Sequence, residues 1–390
     1  SLARIFQKSA WGRQKWGEVR MADKAQLQRT PLYEAHVAQG GRLVPFSGWE
    51  MPVQYSGILD EARSVRTAAG IFDVSHMGRL EISGPGAASL LDGVLSISAS
   101  ALRLGRARYN VICDESGGII DDCIVYRRSN EMFLLVPNAS NTDVVLQWLK
   151  RWDQSGSEVT VVDVTSQYAM IAVQGPDAVE MVDGLCDLDD AGVSAIRPFA
   201  TKRVSIASIE VWLARTGYTG EDGFEIIVPA SAAVEIWRKL IAAGAVPCGL
   251  GARDVLRLEA GLLLHGNDMD VNINPYEAGL DRFVDPDRDG YVAGPSLTRI
   301  RDAALARKLI GFTITGRGIP RHGYAIMSGA ENIGLVSSGG HSPTLEAGIG
   351  LGYVGIEYAV PGTVIRIDVR GRPVDAEVTE LPFYSRRRNG

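Results

Sequence analysis

The chain has 390 residues, 46% hydrophobic and 22% charged, which is ample for two or three packed domains. A formal net charge of −6 lacks the basic footprint that nucleic acid requires, and no run approaches the ~18 apolar residues of a membrane-spanning helix. Nucleic acid and membrane are therefore set aside as main partners, and 44 glycines point to many turns and short strands rather than a helical bundle.

The chain opens with Arg4, Lys8, Arg13, Lys15 and Arg20 against a single acid, Glu18, a basic start of the kind found in organellar transit segments. Met21 stands just before ADKAQLQRTPLY, so the same residues equally fit an upstream extension. Residues 1–29 are expected to lie outside the fold. The expected compartment is the cytoplasm, or the mitochondrial matrix if the leader is a transit peptide.

A duplication follows. LEISGPGAASLLDGVL (80–95) and AVQGPDAVEMVDGL (172–185) each run from a short apolar stretch through Gly-Pro into a helical pattern, and Gly84 and Gly175 are 91 positions apart. FLLVPNASNTDVVLQWLKRW (133–152) and FEIIVPASAAVEIWRKLIAAG (224–244) repeat an apolar strand, Val-Pro, small polar residues and an amphipathic helix. Their Val136 and Val228 are 92 positions apart. Proline ends each strand by removing a ladder donor, and Asn141 or Ser231 is placed to cap the next helix. Val145, Trp148, Leu149 and Trp152 share one helical face; Ala233, Trp237, Leu240 and Ile241 share the other. The fold class is α+β: a sheet covered by helices on one side, built twice.

Three segments inside this duplicated region carry unusual chemistry. In ARYNVICDESGGIIDDCIVY (107–126), Tyr109 sits in one apolar strand and Asp121-Asp122 interrupts the next. Neighbouring residues of a strand face opposite ways, so one carboxylate must turn inward or meet a partner. The pair reads either as an acidic edge or as a buried carboxylate of the kind that gathers at functional sites. In ARTGYTGEDGFEIIV (214–228), Tyr218 and Glu225 accompany a glycine-rich turn that reads as a plain hairpin or as a close approach to a ligand. In GLGARDVLRLEAGLLLHGNDMD (249–270), Arg253 lies in the first helical turn, against the helix dipole, and is a candidate for an external anion. Arg257 is spaced from Asp254 for a surface salt bridge.

Residues 285–308 form a charged connector with room for one short helix. From about Lys308 come IGFTI, GYAIM, NIGLVSSG, GIGLGYV, VIRIDV and DAEVTEL, short strands that form an all-β barrel or sandwich of their own. The organisation is therefore 1–29 leader, 30–290 duplicated region of two related subdomains, and 305–390 β-barrel.

Cys113, Cys123, Cys186 and Cys248 form no Cys-x-x-Cys pair and read as reduced, mostly buried thiols. His36, His76, His265, His322 and His341 are scattered, none at metal-ligand spacing from another. No P-loop, flavin or nicotinamide motif is present, and no metal, flavin or nicotinamide is expected.

Those same segments carry a family resemblance. TPLYEAHVAQGGRLVPFSGWEMPVQY (30–55), GIFDVSHMGRLEISG (70–84), SGGIIDDCIVY (116–126), RTGYTGEDGFE (215–225), ARDVLRLEAGLLLHGNDMD (252–270) and LGYV (351–354) resemble blocks of the glycine cleavage T-protein family, in family order. The resemblance spans about residue 30 to the end. It implies a folate-binding region, a C-terminal barrel, and transfer of an aminomethyl group from the lipoyl arm of H-protein to tetrahydrofolate, giving methylenetetrahydrofolate and ammonia.

It also implies roles. Asp122 matches the catalytic aspartate, and Asp121 would be structural. Tyr218 and Glu225 match residues lining the pterin, Arg253 a folate-contacting arginine, and Met77, Tyr109, Phe133 and Leu135 wall positions. Tyr384 and Arg386 lie in an ending, PFYSRRRNG, that matches the family poorly, and NPYEAG (274–279) stands where the family often has Thr-Pro-Val-Glu. Two relatives of the fold offer alternatives: a folate-dependent demethylase, and a non-catalytic folate-binding maintenance factor. The latter carries a Lys-Gly-Cys motif where this chain reads RTGYTGEDG.

Overall fold

A computed structural model describes residues 27–154, 158–187 and 192–386. Residues 1–26 of the basic leader lie outside the described residues. Gln28 and Arg29 already join the fold, through main-chain bonds between Gln28 and both Gly48 and Glu50 and an Arg29–Glu50 ion pair at 3.0 Å.

The chain begins with α1 (Tyr33–Ala38), β1 (Arg42–Phe46), β2 (Trp49–Gln54), α2 (Ile58–Thr67), β3 (Gly70–Asp73), β4 (Leu80–Ser83) and α3 (Ala87–Val94). It continues through β5 (Ala107–Cys113), β6 (Ile119–Arg127), β7 (Met132–Pro137), α4 (Thr142–Trp152) and β8 (Thr160–Asp163). Then come β9 (Tyr168–Gln174), α5 (Ala178–Asp183), β10 (Thr201–Ile206), β11 (Ile209–Ala214), β12 (Gly223–Pro229), α6 (Ala233–Ala242), β13 (Val246–Pro247) and α7 (Leu250–Glu259). The connector holds one helix, α8 (Gly294–Asp302). The barrel strands are β14 (Arg307–Ile314), β15 (Ala325–Ser328), β16 (Glu331–Ser342), β17 (Ala347–Gly355), β18 (Val364–Asp368) and β19 (Pro373–Thr379).

Two sheets realise the duplication. One has the order β5-β6-β7-β4-β8, the other β10-β11-β12-β9-β3-β13. The first five positions correspond strand for strand. Leu80 pairs with Leu135 and Ile82 with Phe133 in one sheet; Ile171 pairs with Ile226 and Val173 with Phe224 in the other. That register fixes the repeat at 91 residues throughout these strands, so the Val-Pro landmarks are offset by one. A one-residue slip would turn every side chain of β12 to the wrong face.

The halves also exchange a strand. β3 runs into β4 in the chain yet pairs with β9, and β8 runs into β9 yet pairs with β4. Gly84 and Gly175 mark where the exchanged strands pass. Their φ values are +114° and +136°, and a Cβ would stand 2.1 Å from the Glu158 carbonyl in one and 2.2 Å from the Ala68 carbonyl in the other. Each half therefore needs glycine twice over, for conformation and for space.

Strand alternation makes the layers. Leu80, Ile82, Phe133 and Leu135 pack against Leu91 of α3 and Val145 and Leu149 of α4. Ile171, Val173, Phe224 and Ile226 pack against Ala178 of α5 and Trp237 and Leu240 of α6. The opposite faces of both sheets meet through Tyr126, Leu134, Val136, Met170, Ala172, Ala214 and Ile227. Two sheets back to back, with helices outside, give the α+β region expected.

The expected caps are different. Asn141 stands at the start of α4 but makes no capping bond, because its amide is turned to Asp121 and His265. Ser231 lies within a short 3-10 turn, and Ala232 precedes α6.

The six terminal strands close a barrel in the order β14-β17-β16-β15-β18-β19 around Phe312, Ile326, Val336, Val354, Ile367 and Val378. Two buried ion clusters bind it to α7. Arg257 does pair with Asp254, at 2.8 Å, but the guanidinium is buried rather than on the surface, and it also donates to Asp268 at 2.7 Å and to Ser338 of β16 at 2.8 Å. Glu259 accepts from Arg66 of α2 at 2.8 Å and from Ser342 of β16 at 2.6 Å. Among the described residues no helix is long and apolar enough to cross a membrane.

Candidate functional site

The acidic pair sits at the start of β6, where Asp122 lies opposite Val111 and Asp121 opposite Ile112 of β5. Pleating puts Asp121 on the side of Cys123 and Val125, beneath the beginning of α4. Asp122 shares the other side with Ile124 and Tyr126, between the sheets. Asp121 is fully buried. It accepts from the Asn138 backbone N–H at 2.9 Å, the Asn138 side-chain amide at 2.8 Å and the Asn141 amide at 2.9 Å. The same Asn138 amide donates to Asp122 at 2.7 Å, and the Tyr109 hydroxyl lies near enough to Asp122 to lower its carboxyl.

Burial pushes the Asp122 carboxyl well above the usual carboxylate range, and the charge of Asp121 pushes it further. His265, Asn138 and Tyr109 pull the other way without cancelling the rise. Asp121 is raised too, by burial against the bonds from Asn138 and Asn141. Such a pair favours holding one proton near neutral pH. Burial lowers His265, and its Nδ1 accepts from Asn141 at 3.0 Å.

A second wall rises from the glycine-rich turn before β12 and from α7. Tyr218 donates its hydroxyl to the Leu263 carbonyl, and the Arg253 guanidinium lies over its ring at 4.7 Å. Among the described residues, Arg253 Nη1 is buried without a hydrogen-bond partner. Burial lowers its proton affinity, countered by the charges of Glu225 and Tyr218. Glu225 is 8% exposed and accepts from Thr216 and, at 3.3 Å, from Tyr126. Burial raises the phenols of Tyr109 and Tyr218, so both stay proton donors.

Asp122, Tyr109, Tyr218, Arg253 and Glu225 thus form one linked group. Tyr109 lies close to Asp122, the charge of Asp122 reaches Tyr218, and Arg253, over the Tyr218 ring, feels the charge of Glu225. Met77 is half-buried beside the inter-sheet core. Phe133 and Leu135 are elsewhere: both are fully buried on the helix-covered face, among Leu91, Val145 and Leu149. The face they were expected to line is occupied by their neighbours Leu134 and Val136, a consequence of the two-residue period. Tyr384 stacks with Arg66 at 3.9 Å and donates its backbone N–H to Glu259. Arg386 pairs with Asp222 at 3.1 Å, on the flank of the Tyr218 loop.

Asn138 was not singled out in the sequence, Asn141 was read only as a helix cap, and His265 only as one of the scattered histidines. The two asparagines resemble ordinary caps after a Val-Pro step, and only their spacing opposite the Asp-Asp strand could have flagged them. No group of His, Cys, Asp and Glu among the described residues could hold a metal ion.

A duplicated α+β region backed by a closed barrel, with a buried acidic pair facing an aromatic and arginine wall, is the build of a group-transfer enzyme. Residues 32–288 match the family model described as the GCVT N-terminal domain, and residues 307–385 that of the glycine cleavage T-protein C-terminal barrel domain. The chain belongs to the glycine cleavage T-protein family, and its activity is aminomethyl transfer in glycine cleavage.

Among its relatives, an aminomethyltransferase of Rubrobacter xylanophilus is 46% identical over 364 residues, covering 93% of this chain and 96% of that one. An aminomethyltransferase of Halothermothrix orenii is 42% identical, over 92% of this chain and all of its own. The crystal structure of glycine cleavage system aminomethyltransferase T from Bartonella henselae superposes with a TM-score of 0.85 at 32% identity, covering 92% and 98% of the two chains.

Proposed function

We propose that the chain moves the aminomethyl carbon from the lipoyl arm of H-protein to tetrahydrofolate, giving 5,10-methylenetetrahydrofolate and ammonia, with Asp122 as the catalytic residue. The observation that carries this is the setting of Asp122, a carboxylate between two sheets, held by Asn138, close to Tyr109 and biased toward one proton. A carboxylate so placed stabilises positive charge that develops on the transferred carbon and steers proton movement at the reacting nitrogens.

Glu225 accepts from Thr216 and Tyr126 through one oxygen, Oε2, and its other carboxylate oxygen suits the donor edge of an aminopyrimidinone such as a pterin. Arg253 Nη1, buried and unpartnered, is a donor awaiting an acceptor, as a folate contact would supply. Tyr218 and Tyr109 provide aromatic faces, Met77 an adaptable apolar contact, and Tyr384 and Arg386 the outer rim. Residues 30–290 act as the catalytic region and 305–390 as the barrel domain that covers it.

The test is coupled turnover with aminomethylated H-protein and tetrahydrofolate. Asp122→Asn is expected to slow folate-dependent ammonia release by about 100-fold or more. Unchanged release by that variant would remove Asp122 from the chemistry.

A further inference from the structure

Asn138 holds both carboxylates at once. Its side-chain nitrogen has two protons, and the acceptors are Asp121 Oδ1 at 2.8 Å and Asp122 Oδ1 at 2.7 Å, one for each, with the Asp122 carbonyl further off at 3.2 Å. Its backbone N–H is spent on Asp121 Oδ2. The residue follows directly on β7, whose Pro137 lies opposite Cys123, so the strand register delivers this amide to the acidic pair.

Pleating alone would turn the two carboxylates to opposite faces, where each could rotate freely. The amide instead draws one oxygen of each to a common donor. Asn141 completes the arrangement from the position just ahead of α4, donating to Asp121 and to His265. Both asparagines forgo helix capping to do so.

We propose that Asn138 and Asp121 are positioning residues for the transfer, Asn138 by fixing which oxygen Asp122 presents between the sheets and Asp121 by pressing its negative charge on Asp122 across that shared amide. The proposal rests on the reading of Asp122 as the catalytic carboxylate. The groups that bear on Asp122 are Asp121 and Cys123 on its own strand, Tyr109 on β5, Tyr218 on the glycine-rich turn and His265 beyond α7. Removing one donor or one charge from this set has a definite sign. Loss of Asp121's charge lets Asp122 lose its proton more readily; loss of the Asn138 donor makes it hold the proton longer.

The experiment compares rate–pH profiles of Asp121→Asn and Asn138→Ala with wild type, using aminomethylated H-protein and tetrahydrofolate. The ionisation governing kcat is expected to move down by about one pH unit in the first variant and up by a similar amount in the second. In Asn138→Ala kcat should fall about 10- to 100-fold while KM for tetrahydrofolate stays within about threefold. A merely structural role would not split the profiles in opposite directions. Profiles that stay put, or move the same way in both variants, overturn the proposal.

If Asn138→Ala does not fold, Asn138→Ser keeps the backbone bond to Asp121 and serves the same comparison. Carbon-13 NMR titration of labelled aspartates reads the same displacements without turnover. A pair that titrates with the expected opposite shifts in enzyme that does not transfer to tetrahydrofolate would overturn the acceptor and leave the clamp standing. A pair that titrates like ordinary carboxylates in active enzyme would overturn the clamp alone.

Discussion

The two repeats hold the same backbone and opposite chemistry. With Leu135 and Ile226 as counterparts, Val125 answers to Leu213, and counting back three residues sets Asp122 against Glu210. Tyr109, across from Ile124, answers to Arg203, across from Trp212. In the first repeat this pair of positions is a half-buried phenol beside a carboxylate that favours its proton. In the second it is an Arg203–Glu210 ion pair on the surface, with side chains 57% and 62% exposed.

The difference comes from what lies above the strands. The second hairpin closes in two residues, Ala207 and Ser208, both at positive φ, and leaves the Glu210 side chain exposed. The first takes a longer turn that is covered from outside. Ile119 N–H bonds the Ile273 carbonyl, and Ile119, Ile273, Tyr291 and Leu297 pack together. Covering an acid, more than supplying one, makes it chemically useful.

The sharpest way to break this comparison is to neutralise both counterparts. Asp122→Asn should lower turnover about 100-fold or more, whereas Glu210→Gln should leave it within about twofold and change stability by less than about 1 kcal/mol. Equal losses in the two variants would mean that burial is not what separates the repeats.

The next effect is symmetric and tests the duplication itself. Gly84→Ala and Gly175→Ala should each destabilise by about 3 kcal/mol or more in urea unfolding, since both have positive φ and meet a carbonyl just ahead of the exchanged strand. A tolerant partner would show that one crossing is looser than the other.

A smaller effect concerns pH and sharpens the contrast between the buried and exposed acids. Because the Asp122 carboxyl is raised in the folded state, its protonated form is the stabilising one. That contribution is fully present below the unfolded value near 4 and is lost as pH rises through the raised folded value. Asp122→Asn should therefore unfold at a higher temperature than wild type at pH 8, with the gain vanishing near pH 4. Glu210→Gln should show no such dependence. Asp73 has the reverse sign: burial raises it, but bonds from His36, Ser75 and Thr30 and the charge of His36 win, holding it at about 2. Its contribution is present above about pH 4 and fades only as pH falls toward 2.

Much of the architecture could be read from residues alone, because repeated landmarks and hydrophobic periods are local features. Gly-Pro at 84 and 175 gave the repeat length, and the glycine-punctuated tail gave separate strands. The exchange of β3 and β8 could not be read, since strand pairing over such separations leaves no local mark. The Asp121-Asp122 pair was conspicuous for the same reason of period, and Tyr218, Glu225 and Arg253 stood out by residue type. Phe133 and Leu135 were misplaced by a single step along β7, which is all that a strand needs to turn a side chain away. Asn141 was read as a cap and Asn138 was passed over, because a cap and a carboxylate clamp require the same short amide, and only the folded register distinguishes them.

The exchanged strands have a consequence in time. β3 is synthesised roughly a hundred residues before the β9 strand it must pair with, and at about 5–20 residues per second that is a wait of several seconds or more on the ribosome. During that interval Gly70–Asp73 has no sheet to join, and an unpaired strand is the form in which nascent chains stick to one another. The crossing that ties the finished halves together therefore makes the first half hostage to the second while the chain is being born.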